Sequence, residues 1–161
     1  ATQKAADYIE SLGFENYSIT SGSSSIILGK NPNRENDIFI VSLANPIREI
    51  NNKLTYGKIH VKETSVTTSG NYEQYANYKG LRYHHIISPE TKAPVHYYHT
   101  VTIIGDNAGL LDALSTALFN MSPSKFDEWM EKHQEELGIE VIRFNYDGTI
   151  TKYLKNIELR D

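Results

Sequence analysis

Apolar residues recur with helical spacing at Ala5, Ala6, Ile9 and Leu12, and Gly13 follows, so a helix over residues 1–11 is predicted with a glycine stop. Past it the pattern shortens to that of strands. Residues 17–19 and 25–28 carry β-formers on either side of Ser21-Gly22-Ser23-Ser24, which reads as a strand interrupted by a small-residue turn. A polar loop at residues 31–36 precedes a strand at 38–43, Pro46, and alternation over 57–61. Thr67-Thr68-Ser69-Gly70 is a second small polar segment, leading to Tyr72 and Tyr75, and residues 81–87 read as a further strand. Pro89 and Pro94 bracket a turn before a long β-like run at 97–104.

In the last third of the chain helices and strands are easier to delimit. Asp106 or Asn107 can cap a helix running to about Phe119, and Ser122-Pro123 opens another that stops near Gly138. Strands at 140–145 and 149–154, separated by Tyr146-Asp147-Gly148, form a hairpin pattern. Strands outnumber helices and do not alternate strictly with them. The expected class is therefore α+β, a mixed, mainly antiparallel sheet with packed helices, in a single domain spanning 1–161.

Composition narrows the function classes. With 161 residues, 39% hydrophobic, the chain can bury a core, and a net charge of −4 leaves no basic excess for a nucleic-acid surface. No apolar run approaches the roughly 20 residues of a membrane span. Cysteine is absent, which removes disulfides, thiolate zinc sites and a cysteine nucleophile. The chain opens directly on helical sequence with no methionine or leader, as expected of a fragment or a processed chain.

Three groups of residues could carry chemistry. On the helix at 106–119, a turn of about 100° per residue puts Leu110, Leu111, Leu114, Ala117, Leu118 and Met121 on one face and Ala108, Asp112, Ser115 and Thr116 on the other. Asp112 and Thr116, at i and i+4, offer two hard oxygen ligands suited to Mg²⁺; the commoner explanation is a solvated face whose Thr116 hydroxyl bonds back to its own helix. His84 and His85 point to opposite faces of a strand end, so one can serve as general base while the other packs. His96 and His99 add no zinc site, because i and i+3 on a strand face opposite ways. The hydroxyl-rich segments 21–25 and 67–70 either cradle a phosphate or heterocycle through backbone N–H groups or are ordinary turns.

Taken in order, Thr67-Thr68-Ser69-Gly70-Asn71-Tyr72-Glu73, then Arg82-Tyr83-His84-His85-Ile86-Ile87-Ser88-Pro89-Glu90-Thr91, then Asp112-Ala113-Leu114-Ser115-Thr116-Ala117 resemble the ApbE family of FAD:protein FMN transferases. Its pattern has T-S-G-x-Y-E, H-I-I-D-P-x-T-G and D-A-x-x-T-A at similar spacing, and the turn at 21–25 stands where it has L-G-G-N. The resemblance covers nearly the whole chain but matches only the carboxy-terminal half of a family member.

It implies Mg²⁺-dependent transfer of FMN from FAD to a threonine hydroxyl of a target protein, with AMP leaving. His85 would be the base, Asp112 and Thr116 the metal ligands, and Gly22, Ser23, Ser24, Thr68, Ser69, Gly70, Tyr72, Pro89 and Thr91 the FAD-binding residues. Partners would be FAD and the target protein, with no nucleic acid. The complete protein would be an extracytoplasmic lipoprotein, touching the membrane only through an anchor outside this chain. Ser88 and Lys92 stand where the family has Asp and Gly, and Ser23 and Ser24 where it has Gly and Asn. These departures keep two alternatives open: a flavin-binding module without transfer, and a Mg²⁺-dependent FAD pyrophosphatase.

Overall fold

The computed structural model describes residues 1–22 and 24–161, apart from the side chain of Leu81. The chain runs through α1 (Thr2–Ser11), β1 (Ser18–Ser21), β2 (Ser25–Leu28), β3 (Phe39–Ala44), α2 (Arg48–Asn51), β4 (Thr55–Val61) and β5 (Thr64–Gly70). It continues through β6 (Tyr75–Tyr78), β7 (Leu81–His84), β8 (Tyr98–Gly105), α3 (Ala108–Phe119), α4 (Pro123–Leu137), β9 (Glu140–Asn145), β10 (Ile150–Tyr153) and β11 (Leu159–Arg160). Six strands form a sheet in the order β1-β2-β5-β8-β9-β10, and a smaller sheet has the order β11-β4-β3. β6 and β7 pair only with each other. Every strand pair is antiparallel, in keeping with the predicted α+β class.

Alternation along the central strands produces two cores on opposite faces of the large sheet. Val101, Ile103 and Val141 meet Leu111, Leu118, Phe119, Phe126 and Met130 of α3 and α4 on one face. Ile104, Ile142, Val66 and Leu28 meet Leu43, Ile59 and Val61 of the small sheet on the other. Each fully buried side chain of this size contributes roughly 1.5–3 kcal/mol, so the helix and small-sheet layers are both held by burial. Arg143 crosses from the sheet to α4, its guanidinium 2.7 Å from Asp127 and over the rings of Tyr98 and Phe126. The buried carboxylate of Glu140 accepts from the main-chain N–H groups of Lys155, Asn156 and Ile157 at 3.0–3.1 Å, which fixes the segment leading into β11.

Local signals explain most boundaries. Asn107 caps α3 by accepting from Leu110 N at 3.0 Å. Gln3 of α1 accepts from Ala108 N at 2.9 Å, a second cap supplied from the other end of the sequence. Pro123 opens α4 and Gly138 closes it at φ +60°.

Three expectations fail. Residues 67–70 are not a turn: they complete β5 in the large sheet, paired along their whole length with residues 100–103 of β8. The strand expected over 81–87 stops at His84, and Tyr75–Tyr78 is a strand that the sequence reading passed over because all four residues are exposed and show no alternation. α3 is also rotated from its predicted orientation. Ala108, Leu111, Ser115, Leu118 and Phe119 face the sheet, whereas Leu110 is 42% exposed and Ala117 is exposed.

Candidate functional site

A cavity of ≈180 Å³ opens where the end of β5, the β6–β7 ribbon and the exposed edge of α3 converge. It is lined by Ser24, Thr68, Ser69, Gly70, Tyr72, Glu73, Gln74, His85, Ile86, Asp112 and Thr116. Sequence positions 24, 85 and 112 reach it from three separate parts of the chain. Of the residues singled out from sequence, His85, Asp112, Thr116, Ser24, Thr68, Ser69, Gly70 and Tyr72 line it, whereas Gly22, Pro89 and Thr91 do not. Ser23 lies outside the described residues. Gly22 sits in the β1–β2 turn at φ +59°, and Pro89 and Thr91 belong to the turn after β7, where the Thr91 hydroxyl donates to Ala93 O at 3.1 Å.

The two adjacent histidines separate as strand geometry requires. His84 is buried, with Nε2 2.9 Å from Val95 O and its ring edge-on to His96 and Phe119. His85 is exposed at the cavity, with Nδ1 3.3 Å from Gln74 O while its own N–H donates to the same oxygen at 3.2 Å. A carbonyl oxygen can only accept, so Nδ1 is the donor in this contact, and in the neutral ring the lone pair lies on Nε2. That is the tautomer a general base needs.

Opposite the ribbon, hydroxyls hold the edge of α3 in a fixed arrangement. Ser115 Oγ and Thr116 Oγ1 both donate to Asp112 O, at 3.0 and 3.3 Å. Those two protons are thereby committed, so the single Ser69 proton, 2.8 Å from Ser115 Oγ and 3.2 Å from Thr116 Oγ1, is given to one of the two oxygens or shared between them. Thr67 donates to Ser25 at 3.3 Å and Ser25 to Asp112 Oδ1 at 3.4 Å. Thr116 thus does bond back to its own helix, yet its remaining lone pair and the Asp112 carboxylate stay at the exposed edge of the helix.

Asp112 and Thr116 fit a hard divalent cation such as Mg²⁺, which accepts few protein ligands and completes its octahedron with water and phosphate oxygens. Among the described residues no group of three or more His, Asp or Glu is arranged to hold a metal, so the carboxylate–hydroxyl pair would need those outside oxygens.

Sequence reasoning missed Glu73, Gln74 and Ile86 as lining residues, and it placed Ser25 in a candidate cradle without its bond to Asp112. Gln74 acts through its main-chain carbonyl, which leaves no trace in residue type, while the Ser25 contact could have been found from its alternation with Ile27 on the helix-facing side of β2. Gly70 is required by a close approach: a Cβ there would stand 2.9 Å from the Tyr72 ring. Burial raises the Tyr72 phenol above its usual range, with the neighbouring Glu73 charge adding to the shift, so it remains protonated at neutral pH.

The comparisons with known proteins bear on this arrangement. A sequence description of the ApbE family matches residues 1–141. The chain belongs to the ApbE family. The FAD:protein FMN transferase of Buchnera aphidicola is 34% identical over 119 residues, which is 71% of this chain and 34% of that protein. The Vibrio cholerae transferase is 30% identical over 121 residues, 74% of this chain and 35% of that protein. Among solved structures, the ApbE protein of Thermotoga maritima superposes with a TM-score of 0.73 at 26% identity, covering 92% of this chain and 47% of that one. The flavin transferase ApbE from Vibrio cholerae gives 0.74 at 25% identity, covering 96% and 47%. This ApbE-family chain thus spans about a third of the length of these curated relatives and just under half of the solved chains.

Two departures from the ApbE pattern acquire a physical meaning. Ser88 is buried away from the cavity, where its hydroxyl accepts from Glu90 N at 3.3 Å and Thr91 N at 3.4 Å, so it shapes its own turn, as an Asp would. Lys92 holds φ +55°, a left-handed conformation that favours the family's glycine. Lys92→Gly should therefore raise stability by about 0.5–1 kcal/mol, read from the urea midpoint; no change, or a loss, would show the strain to be absent.

Stability should also depend on mild acid. Burial holds the imidazoles of His84 and His99 below the usual value near 6.5, with the Arg82 charge adding to the effect at His99. The unfolded chain takes up these protons near pH 6.5 and the folded one only at lower pH. The stabilisation is therefore complete above pH 6.5 and is lost as the pH falls through the folded values. The urea midpoint should drop between pH 7.5 and 5, and a constant midpoint would contradict this assignment.

Proposed function

We propose that this chain supplies the chemical centre of a Mg²⁺-dependent FAD:protein FMN transferase. The observation that carries the reading is that His85, its Nδ1 engaged by Gln74 O, and the carboxylate–hydroxyl pair Asp112 and Thr116 line one cavity. His85 Nε2 takes the proton from an acceptor threonine hydroxyl. The freed oxygen attacks the flavin-side phosphorus, the bond from that phosphorus to the bridging oxygen breaks, and AMP departs with that oxygen. Mg²⁺ held by Asp112 and Thr116 would supply charge stabilisation at the pyrophosphate. Ser69 keeps Thr116 and, through Ser115, the Asp112 turn in place, so the ligand oxygens need no rearrangement. Ser24, Thr68, Gly70 and Tyr72 would line the path of FAD. The extracytoplasmic placement and lipid anchor implied by the family resemblance belong to the same proposal; no helix among the described residues is long and apolar enough to cross a membrane.

The test is incubation of the purified protein with FAD, Mg²⁺ and a threonine-bearing acceptor peptide, read by mass and by AMP release. A gain of one FMN on the peptide with equimolar AMP supports the transferase. AMP released at the same rate without acceptor makes it a pyrophosphatase, and FAD binding without AMP makes it a binding module; either result overturns the proposal.

A further inference from the structure

The β6–β7 ribbon carries an edge that the rest of the molecule leaves open. Lys79 and Gly80, at φ +50° and +78°, form the two-residue turn that joins its strands, the left-handed geometry that a tight hairpin favours. One strand is tethered to the body. His84 of β7 is buried with Nε2 2.9 Å from Val95 O, and the Arg82 guanidinium lies over the Tyr75 ring, 3.7 Å from Glu49. The other strand is not: all four residues of β6 are exposed, and among the described residues it pairs with β7 alone.

The register of the ribbon settles which main-chain groups that edge presents. Gln74 and His85 face each other one step beyond the Tyr75–His84 pair, and His85 N donates to Gln74 O at 3.2 Å. Bonded and non-bonded pairs alternate in an antiparallel ladder, so Ala76 bonds Tyr83 and Tyr78 bonds Leu81, while the N–H and C=O groups of Tyr75 and Asn77 point off the free edge. Among the described residues no main-chain hydrogen bond from another segment reaches either of them. Exposed edges are commonly blunted by charge or proline, and Tyr75-Ala76-Asn77-Tyr78 has neither. This edge also leads to the site: Glu73 and Gln74, the two residues immediately before β6, line the cavity that holds His85, Asp112 and Thr116.

We propose that β6 is the docking edge for the acceptor polypeptide, which adds to it as an extended third strand and so carries its threonine past Gln74 to His85. The inference rests on the transferase reading and names how the second substrate is held. The occupant is the acceptor and not a second copy of this chain, because a strand laid along this edge runs on to the cavity where an acceptor hydroxyl must arrive. Main-chain pairing supplies affinity that depends little on side-chain identity, and it fixes the segment in one extended form with a single residue presented to the base.

Asn77→Pro tests it, with Asn77→Ala beside it. Proline removes the outward N–H without breaking a bond to β7, whereas alanine keeps the N–H and removes only the side chain. In FMN transfer to a threonine-bearing acceptor peptide, Asn77→Pro should raise the KM for the peptide about five- to tenfold with kcat and FAD affinity within about twofold of wild type, and Asn77→Ala should change none of them. Acceptor peptides bearing single backbone N-methyl groups give a readout on the unaltered protein: KM should rise at every second position and stay constant at those between. An unchanged KM in a folded Asn77→Pro variant, or no alternation among the methylated peptides, would overturn the docking edge while leaving the transferase reading in place. A wild-type dimer that Asn77→Pro abolishes would assign the edge to a second copy and overturn the proposal as well. Wild-type protein that transfers no FMN would overturn the transferase reading itself, and this inference with it.

Discussion

Replacing His85 with alanine is expected to lower the rate of FMN transfer by about 10²–10⁴-fold while FAD affinity stays within about a factor of three. The asymmetry follows from where the imidazole stands. Its Nδ1 is engaged by Gln74 O and its Nε2 is the free atom, so the side chain is arranged to act on a proton and contributes little of the wall that would grip a dinucleotide. His85 is exposed and packs no core residue, so its truncation should leave stability within about 0.5 kcal/mol of wild type. Single-turnover transfer to an acceptor peptide, beside an FAD titration, separates the two quantities. Undiminished transfer would remove His85 from the chemistry; an equal loss in affinity and rate would make it a binding residue.

Asp112→Asn should have the second large effect, a fall in Mg²⁺ affinity of about a hundredfold or more. Changes to groups that only orient a metal's ligands already cost about 10–100-fold, and Asp112 is the sole acidic member of the proposed pair. Asparagine keeps the size and shape of the side chain but removes its charge. The folded state should tolerate it, since Asp112 is exposed and, among the described residues, its carboxylate accepts only the 3.4 Å bond from Ser25. Mn²⁺ binding followed by electron paramagnetic resonance gives the affinity without reference to turnover. Thr116→Val, which deletes a neutral ligand, should cost about tenfold in the same measurement, and unchanged binding in both variants would place the metal elsewhere.

The sequence made the helix ends and the final hairpin legible because those features are written in single residues: Asn107 as a cap, Pro123 at a start, Gly138 at a stop. The orientation of α3 was not legible. Its sequence, Ala108 to Phe119, is apolar almost all round, so a count of 100° per residue had little polar contrast to lock onto. Packing decided instead. Ser115 is buried because Ser69 of β5 offers its hydroxyl a partner, which turns Ala108 and Ser115 inward and leaves Leu110 outside. The same pairing explains residues 67–70. Thr67 and Ser69 look like loop residues in isolation, but inside the sheet their hydroxyls are satisfied by Ser25 and by α3. The cavity residues His85, Asp112 and Thr116 are identifiable from their motif order, while the role of the Gln74 carbonyl emerges only from contacts between distant segments.

The β6–β7 ribbon belongs to neither sheet, and His85 follows directly on it, whereas Asp112 and Thr116 are rooted in a helix packed across the centre of the large sheet. In the proposed mechanism the metal-holding pair would thus be fastened to a helix packed on the large sheet, and the base that meets the acceptor polypeptide would ride on a separate two-stranded arm. If that reading holds, substitutions at the exposed positions of the arm would retune which proteins are accepted as clients without disturbing how the donor is held.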